Sequence, residues 1–355
     1  MNFITKSQKI IFTNDVNNAV KNILGDMDYN KLFVLTDENT QHYVMPIFCE
    51  TLGNAFNITI KAGDINKNVE SLTHIWEQLG TNGATRRSVL INIGGGMITD
   101  LGGFAASTFK RGIRFINIPT TLLSSVDASV GGKTGINFNG LKNEIGVFNE
   151  ADAVIISTRP LATLPINEVK SGFAEMLKHG LLSNKDIFNK LLDYDFNLLP
   201  NEHLLSLLEE TVNVKRDIVS QDPHEKGLRR ALNLGHTVGH AFESMAMKRQ
   251  SPIPHGYAVA WGMIVELILS HMMLKFDSTI LHRYSQFVYA NYGSFHITCD
   301  DYPELINLMA HDKKSNSGEM NFSLLSDIGN IEINCIASED DVKAALDIYR
   351  DLVHI

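Results

Sequence analysis

The first half of the chain alternates short, apolar, β-branched runs with longer stretches of helical spacing, and few folds accommodate that pattern. The runs are Lys9 to Thr13, Lys31 to Thr36, Asn57 to Ile60, Ser88 to Ile93 and Ile113 to Ile118, each of strand length and bounded by turn residues. Strands separated by helices cannot pair as tight hairpins. The helix must cross the sheet and return, so neighbouring strands run parallel. The expectation is an α/β fold with a Rossmann-like, mainly parallel sheet, in which ligands bind beyond the carboxyl ends of the strands.

One such end stands out. The run VLINI closes in Gly94-Gly95-Gly96 and continues as MITDLGGFAAS, of helical character. A glycine turn that delivers the chain into a helix N-terminus suits a diphosphate. It is not the full dinucleotide fingerprint, because Thr99 stands at the third glycine position, and a glycine turn between strand and helix also serves as a plain tight connection. Asp37, in LTDEN after the second run, suits either a hydrogen bond to a ribose or adenine or an N-cap to the next helix. Spacing alone leaves both open.

The segment Pro119 to Phe148, PTTLLSSVDASVGGKTGINFNGLKNEIGVF, is dense in polar residues. Gly132-Lys133-Thr134 has the ending of a P-loop, but that pattern needs a glycine where Asp127 stands, and a carboxylate there would face the phosphates. Lys133 fits better as a group that binds a phosphorylated substrate. The extended run TGINF is expected to fold back as a hairpin and bring Lys142-Asn143 near Lys133. A solvated surface lysine is the alternative for each.

After a strand-like run at Ala153 to Ser157 the spacing becomes helical. Helices are expected from Leu164-Pro165 to Gly180, then over Asn184 to Leu192, His203 to Ser220, Arg229 to Met247, Gly256 to Lys275 and Thr279 to Tyr292, with a last one opened by a Ser338–Asp341 capping box. A hairpin at Met320 to Ile333 interrupts them, after the basic segment His311-Asp312-Lys313-Lys314. At 355 residues the chain exceeds what one core usually supports, so the reading is an α/β domain over residues 1–160 and a mainly helical domain over 161–355. The formal charge of −9 argues against nucleic acid or an anionic membrane as main partner, while leaving room for a basic pocket. The most apolar helix, near Trp261 to Leu274, is interrupted by Glu266 and His271, so no membrane span is expected. Cys49, Cys299 and Cys335 form no CxxC pair and are expected to be buried, reduced, cytoplasmic thiols.

Within ALNLGHTVGHAFE, Ala231 to Glu243, His236 and His240 stand four residues apart and so share a helical face. That is a moderate signal for a divalent metal; core histidines bonded to carbonyls give the same spacing. Arg229 and Asn233, seven and three residues before His236, place anion-binding groups on the same expected face, and a metal beside an anion site implies chemistry.

Taken in order, IGGGMITDLGGFAAS, KRGIRFINIPTTLLSSVDASVGGKTGIN, LKNEIGVF, GFAEMLKHG, LRRALNLGHTVGHAFE, HGYAVAWGM and HDKK resemble the 3-dehydroquinate synthases of the sugar phosphate cyclase family, over essentially the whole chain. The resemblance implies an NAD-binding N-terminal domain, a helical metal-binding domain and an active site in the cleft between them. It implies one divalent metal, zinc or cobalt, on Glu175, His236 and His255, so that His240 faces the substrate phosphate instead. NAD would meet Asp37, Asp64, Lys67, Gly94, Gly95, Gly96, Asp100, Thr120, Thr121 and Thr163, with Lys133 and Lys142. The sugar acid phosphate 3-deoxy-D-arabino-heptulosonate 7-phosphate would meet Asp127, Lys133, Lys142, Asn143, Lys178, Lys215, Arg229, Asn233, His240 and Lys313, with Arg111 reaching in from the partner of a homodimer. The implied reaction is a transient oxidation at C5, β-elimination of phosphate, re-reduction and an aldol closure to the carbocycle. Whether the protein or the substrate phosphate takes the C6 proton stays open.

Overall fold

The computed structural model describes residues 8–198, 202–311 and 320–355. It divides into two compact units, one made of the described residues of Met1–Pro165 with Asn197–Glu209, the other of Ile166–Phe196 with Glu210–Ile355.

The first unit runs β1 (Lys9–Phe12), α1 (Val16–Gly25), β2 (Leu32–Asp37), α2 (Glu38–Tyr43), α3 (Cys49–Leu52), β3 (Phe56–Ile60), α4 (Val69–Thr81), β4 (Val89–Gly94), α5 (Gly96–Thr108), β5 (Arg114–Pro119), β6 (Lys133–Phe138), β7 (Leu141–Phe148) and β8 (Ala153–Ile156). Six strands form one sheet in the order β1-β8-β5-β4-β2-β3, with every neighbouring pair parallel. All residues of β4 are buried, as a strand covered on both faces requires. Val89, Ile91 and Ile93 point to one face and pack with Val16, Val20 and Ile23 of α1 and with Ile116, Ile118 and Ile155. Alternation sends Leu90 and Asn92 to the other face.

The order of the sheet locates a crevice. From β2 the chain crosses to β3 on one side, whereas from β4 it crosses to β5 on the other, so the direction of travel reverses between β2 and β4. Their carboxyl ends hold Asp37 and Gly94, level with each other by the register Leu35↔Asn92. Such a switch point is where open α/β sheets bind ligands.

Outside the sheet, β6 and β7 form an antiparallel ribbon turned by Asn139 and Gly140, both at positive φ, the conformation of a tight hairpin turn. The hairpin expected from TGINF is present. Lys133, however, pairs with Phe148 at the open end while Lys142 adjoins the turn pair Phe138↔Leu141. Four residues of strand, about 13 Å, separate the levels of the two lysines, so the hairpin does not bring them together.

The second unit contains α6 (Ile166–Leu181), α7 (Lys185–Leu192), the later part of α8 (Glu202–Gln221), α9 (His236–Lys248), α10 (His255–Leu274), α11 (Ser278–Tyr292), α12 (Tyr302–His311), the hairpin β9 (Met320–Asp327) and β10 (Asn330–Ala337), and α13 (Glu339–Leu352). Ser338 and Asp341 form the expected capping box of α13. Helix α10 is long and apolar enough to cross a membrane by length and composition, yet Gly256 and all residues from Ala258 to Ser270 are buried, which makes it the core of this unit. One expected helix is broken: Leu228–Asn233 is a separate 3-10 turn, and Gly235, at φ 80 in the left-handed region, ends it before α9 begins. Arg229 and Asn233 therefore do not share a helical face with His236 and His240. The cysteines also differ from expectation. Cys49 and Cys299 are exposed and Cys335 is half-buried.

Candidate active site

Candidate residues are found in both units, and each unit brings some of them together. In the α/β unit, α5 starts at Gly96 with Gly95 as its N-cap and no side chain capping it, so its first N–H groups keep their capacity for a ligand. A Cβ on Gly95 would stand 3.1 Å from the Thr121 methyl, so the backbone forms a cradle that a side chain would fill. Thr120 and Thr121 follow β5, whose end pairs Pro119 with Gly94; Gly94, Gly95, Gly96, Thr120 and Thr121 thus share the carboxyl end of the sheet. Thr99 is buried and turns its hydroxyl back to the Gly96 carbonyl at 3.1 Å, which is how it replaces a glycine without blocking the turn. Asp37 caps α2, accepting from the Thr40 N–H at 2.8 Å in a capping box.

Below the hairpin the polar residues bond to one another. The buried Lys67 ammonium lies 2.8 Å from Asp100 on α5 and donates to the Asn143 side chain. Asp64, on a short 3-10 turn, accepts from the Asn137 amide at 3.0 Å. Thr163 ends the turn Arg159–Thr163 after β8, two strands from the glycine turn. Asp127 lies half-buried on the π-helical turn Ser124–Ala128. Arg111 occupies the opposite end of the sheet, before β5, in a loop where Lys110, Arg111 and Gly112 all have positive φ. Non-glycine residues held there store strain that often marks function.

The helical unit supplies the second cluster. Glu175 of α6 is 1% exposed, and neither of its oxygens is satisfied by a hydrogen bond. Lys178, one turn on and equally buried, forms an ion pair with Oε2. Two imidazoles face Oε1 through Nε2, His236 at 3.5 Å and His255 at 3.7 Å. Those distances are too long for hydrogen bonds, but roughly 3.4 Å is the separation of two ligand atoms around a tetrahedral zinc. The other ring nitrogens are held from behind: His236 Nδ1 by the Leu234 carbonyl and His255 Nδ1 by Glu243, both at 3.1 Å. Metal-binding histidines are oriented in this way. The three donor atoms lie within 4.8 Å of one another, so a buried carboxylate whose Oε1 has no hydrogen-bond partner and a two-histidine donor set fit a divalent metal. His240 lies beside them, its ring 5.4 Å from that of His236 and 5.9 Å from that of His255.

The charges agree. Burial raises the Glu175 pKa, but Lys178, His236 and His255 hold the carboxyl well below its usual range. Burial and then the Lys178 ammonium push His236 well below the usual imidazole range, so it stays neutral. For His255 burial acts downward, yet the carboxylates of Glu175 and Glu243 raise it to about 9. Of the remaining expected residues, Lys215 and Arg229 are buried, and Arg229 donates to the Pro223 carbonyl at 2.7 Å. Asn233 ends the 3-10 turn before α9. Lys313 and the rest of its segment from Asp312 to Lys314 lie outside the described residues.

Three residues escaped the sequence reading. Glu243 could have been found, since it follows His236 by seven residues on one helical face. Asn137 could not, because its role depends on strand register. In sequence Glu266 shows only as an interruption of an apolar run. It is fully buried in α10 and accepts from the N–H groups of Gly235 at 2.6 Å and Val238 at 3.3 Å, capping α9 where His236 begins.

The family models for the N-terminal and C-terminal parts of 3-dehydroquinate synthase match residues 57–171 and 172–315. The chain belongs to the 3-dehydroquinate synthase family. Its relative named 3-dehydroquinate synthase from Parabacteroides distasonis is 45% identical over 97% of this chain and 98% of that one. Among solved structures, 2-epi-5-epi-valiolone synthase from Streptomyces hygroscopicus subsp. jinggangensis, with NAD+ and Zn2+ bound, has a TM-score of 0.85 at 23% identity over 99% of both chains. A 2-deoxy-scyllo-inosose synthase complexed with carbaglucose-6-phosphate, NAD+ and Co2+ has a TM-score of 0.82 at 24% identity over 95% of both. At those identities the likeness carries the fold: an N-terminal α/β part and a helical C-terminal part.

Proposed function

We propose that this protein is a 3-dehydroquinate synthase, converting 3-deoxy-D-arabino-heptulosonate 7-phosphate to 3-dehydroquinate and inorganic phosphate with NAD and one divalent metal, zinc or cobalt. The observation that carries the reading, within a chain of this family, is the buried Glu175 carboxylate faced by two imidazole Nε2 atoms whose Nδ1 atoms are held from behind. Glu175, His236 and His255 would hold the metal, and the glycine turn with Asp37, Asp64, Lys67, Asp100, Thr120, Thr121 and Thr163 would hold the cofactor. NAD held there would supply reversible hydride-transfer chemistry for the oxidation and re-reduction at C5, and the metal would supply Lewis-acid polarisation of a substrate oxygen.

The chain's own residues do the rest. Lys133, Lys142, Asn143, Asn233 and His240 bind the phosphate, orienting it for elimination; Arg229, with Lys178, Lys215, Asp127 and Lys313, grips the carboxylate and hydroxyls. Lys178, Lys215 and Arg229 are each buried in the helical unit, and cations held away from water suit an anionic sugar acid phosphate better than an uncharged polyol.

The protein works in the cytoplasm as a homodimer in which Arg111 of one subunit completes the phosphate site of the other. Two observations support this. Arg111 lies at the amino end of β5, the end opposite the glycine turn, so it is poorly placed to serve the sheet edge of its own subunit. The ribbon strand β7 is exposed along its whole length, with Leu141, Ile145, Val147 and Phe148 all exposed, a surface that soluble proteins usually cover.

Incubation with the heptulosonate phosphate and a catalytic trace of NAD tests the activity. Phosphate should be released over many turnovers with no net NADH. Reduced cofactor in proportion to product identifies a dehydrogenase instead, and absence of phosphate release discards the reading.

A further inference from the structure

The ribbon contains an irregularity at the level of the candidate ligands. Its register runs Gly135↔Gly146 and Ile136↔Ile145, then jumps to Phe138↔Leu141, so Asn137 alone on β6 faces Lys142, Asn143 and Glu144 on β7. Asn143 takes φ 55 there. Such a bulge breaks the ladder and re-aims side chains, and it persists only where something else satisfies the displaced backbone.

Here the Asn137 side chain does so. Its Oδ1 accepts the Asn143 N–H at 2.9 Å. Its Nδ2 donates to the Asp64 carbonyl at 3.1 Å and the Asp64 carboxylate at 3.0 Å, and its own N–H donates to the Lys67 carbonyl at 2.8 Å. The amide has one orientation, since the reverse would set NH2 against the Asn143 N–H and oxygen against Asp64. Asn143 is thereby held twice, by Asn137 at its N–H and by the Lys67 ammonium at its side chain.

We infer that Asn137 is a positioning residue: it fixes the bulge that presents Lys142 and Asn143 against the turn that presents Asp64 and Lys67. The inference rests on the ligand roles proposed above for those four residues. Asn137 itself touches neither substrate nor cofactor. It makes the cofactor-facing and phosphate-facing groups one preorganised unit, so that binding does not have to order them.

The test is NAD titration of the whole protein without substrate, alongside steady-state phosphate release. Asn137→Ala should weaken NAD about tenfold and lower kcat/KM about ten- to a hundredfold, with the thermal midpoint near that of the wild type because the ribbon is outside the sheet. Asn137→Asp sharpens the reading through pH. It keeps an acceptor for the Asn143 N–H but sets a carboxylate about 3 Å from Asp64, beside Lys67 with its partner Asp100 and beside Lys142 and Glu144. Two such carboxylates favour sharing a proton, so NAD affinity of this variant should recover as pH falls, against a wild-type profile that does not. A purely structural hydrogen bond gives neither effect. Wild-type NAD affinity and kcat/KM in Asn137→Ala, or no pH-dependent recovery in Asn137→Asp, overturns the inference while leaving the synthase reading intact. A wild-type protein that binds no NAD overturns both.

Discussion

In the α/β unit the candidate residues come from a turn, a helix and a ribbon and satisfy one another's hydrogen bonds; in the helical unit they stand on helices around a buried carboxylate whose Oε1 has no hydrogen-bond partner. Lys67, Asp100, Asn137 and Asn143 form a closed polar network at the half-exposed rim of a sheet. Glu175, Lys178, His236 and His255 form a desolvated charge cluster whose geometry is set by helix packing and by the Glu266 cap. The difference separates two ways of preparing a ligand site. The network is satisfied before anything binds, so it contributes shape and is sensitive to register. The cluster leaves Oε1 of its carboxylate unsatisfied, so it offers affinity to a cation and is sensitive to charge.

The largest effect should come from the cluster. Removing the metal, or changing His236 to Ala, should reduce turnover by about a thousandfold or more, since a catalytic metal supplies several kcal/mol to the barrier. Far-UV circular dichroism should stay near wild type, because the main core of the unit is α10. Full activity in metal-free protein would remove the contrast between the units.

Next comes the phosphate grip. Lys133→Ala should slow phosphate release about ten- to a hundredfold, the equivalent of a charge-assisted hydrogen bond of about 1.5–3 kcal/mol. Mixed with inactive Arg111→Ala protomers and allowed to exchange, it should regain part of the lost rate, because one hybrid site carries both native side chains. Demonstrated heterodimers without recovery place Arg111 outside the neighbouring site.

A pH series sharpens the charge argument. With its pKa raised to about 9, His255 is protonated at neutral pH in the metal-free protein, whereas Glu175 and His236 already have their ligating forms. Metal uptake should therefore release close to one proton, and affinity should rise about tenfold per pH unit until roughly pH 9. The sign for folding is opposite. The raised pKa stabilises the metal-free fold fully below the ordinary imidazole value of 6.5, and that contribution is lost as pH rises through 9. Isothermal titration in buffers of different ionisation enthalpy counts the proton; a count near zero contradicts the cluster as described.

The smallest effect separates the two meanings of Asp37. Asparagine caps helices as well as aspartate, so Asp37→Asn should leave the thermal midpoint unchanged. A several-fold weaker NAD affinity then assigns the carboxylate to the cofactor, and unchanged affinity leaves it as the cap of α2.

What could be read from sequence followed the range of the interactions. The strands declared themselves through local alternation, and the glycine turn through its place after VLINI. The two-histidine spacing paired His236 with His240, whereas the second imidazole that faces Glu175 is His255 of α10, a contact that only tertiary packing makes; the family resemblance, not the spacing, named His255. Arg229 and Asn233 were assigned to the wrong helix because the left-handed Gly235 inside ALNLGHTVGHAFE has no periodic signature. Asn137 was invisible for a related reason: a bulge is a matter of register, and register is decided by the partner strand.

Helix α10 has a consequence for how the protein is made. Its 20 residues have a mean hydropathy of 1.6 in their most apolar window, so during synthesis, before α6 and α9 cover it, the segment is a candidate for diversion into a lipid bilayer. Glu266 lies near its middle, where an acidic residue opposes insertion by on the order of 2.5–3.5 kcal/mol. The carboxylate that caps α9 in the folded state thus also biases the nascent chain toward water, and Glu266→Leu should increase membrane capture of the isolated segment in a translocon assay.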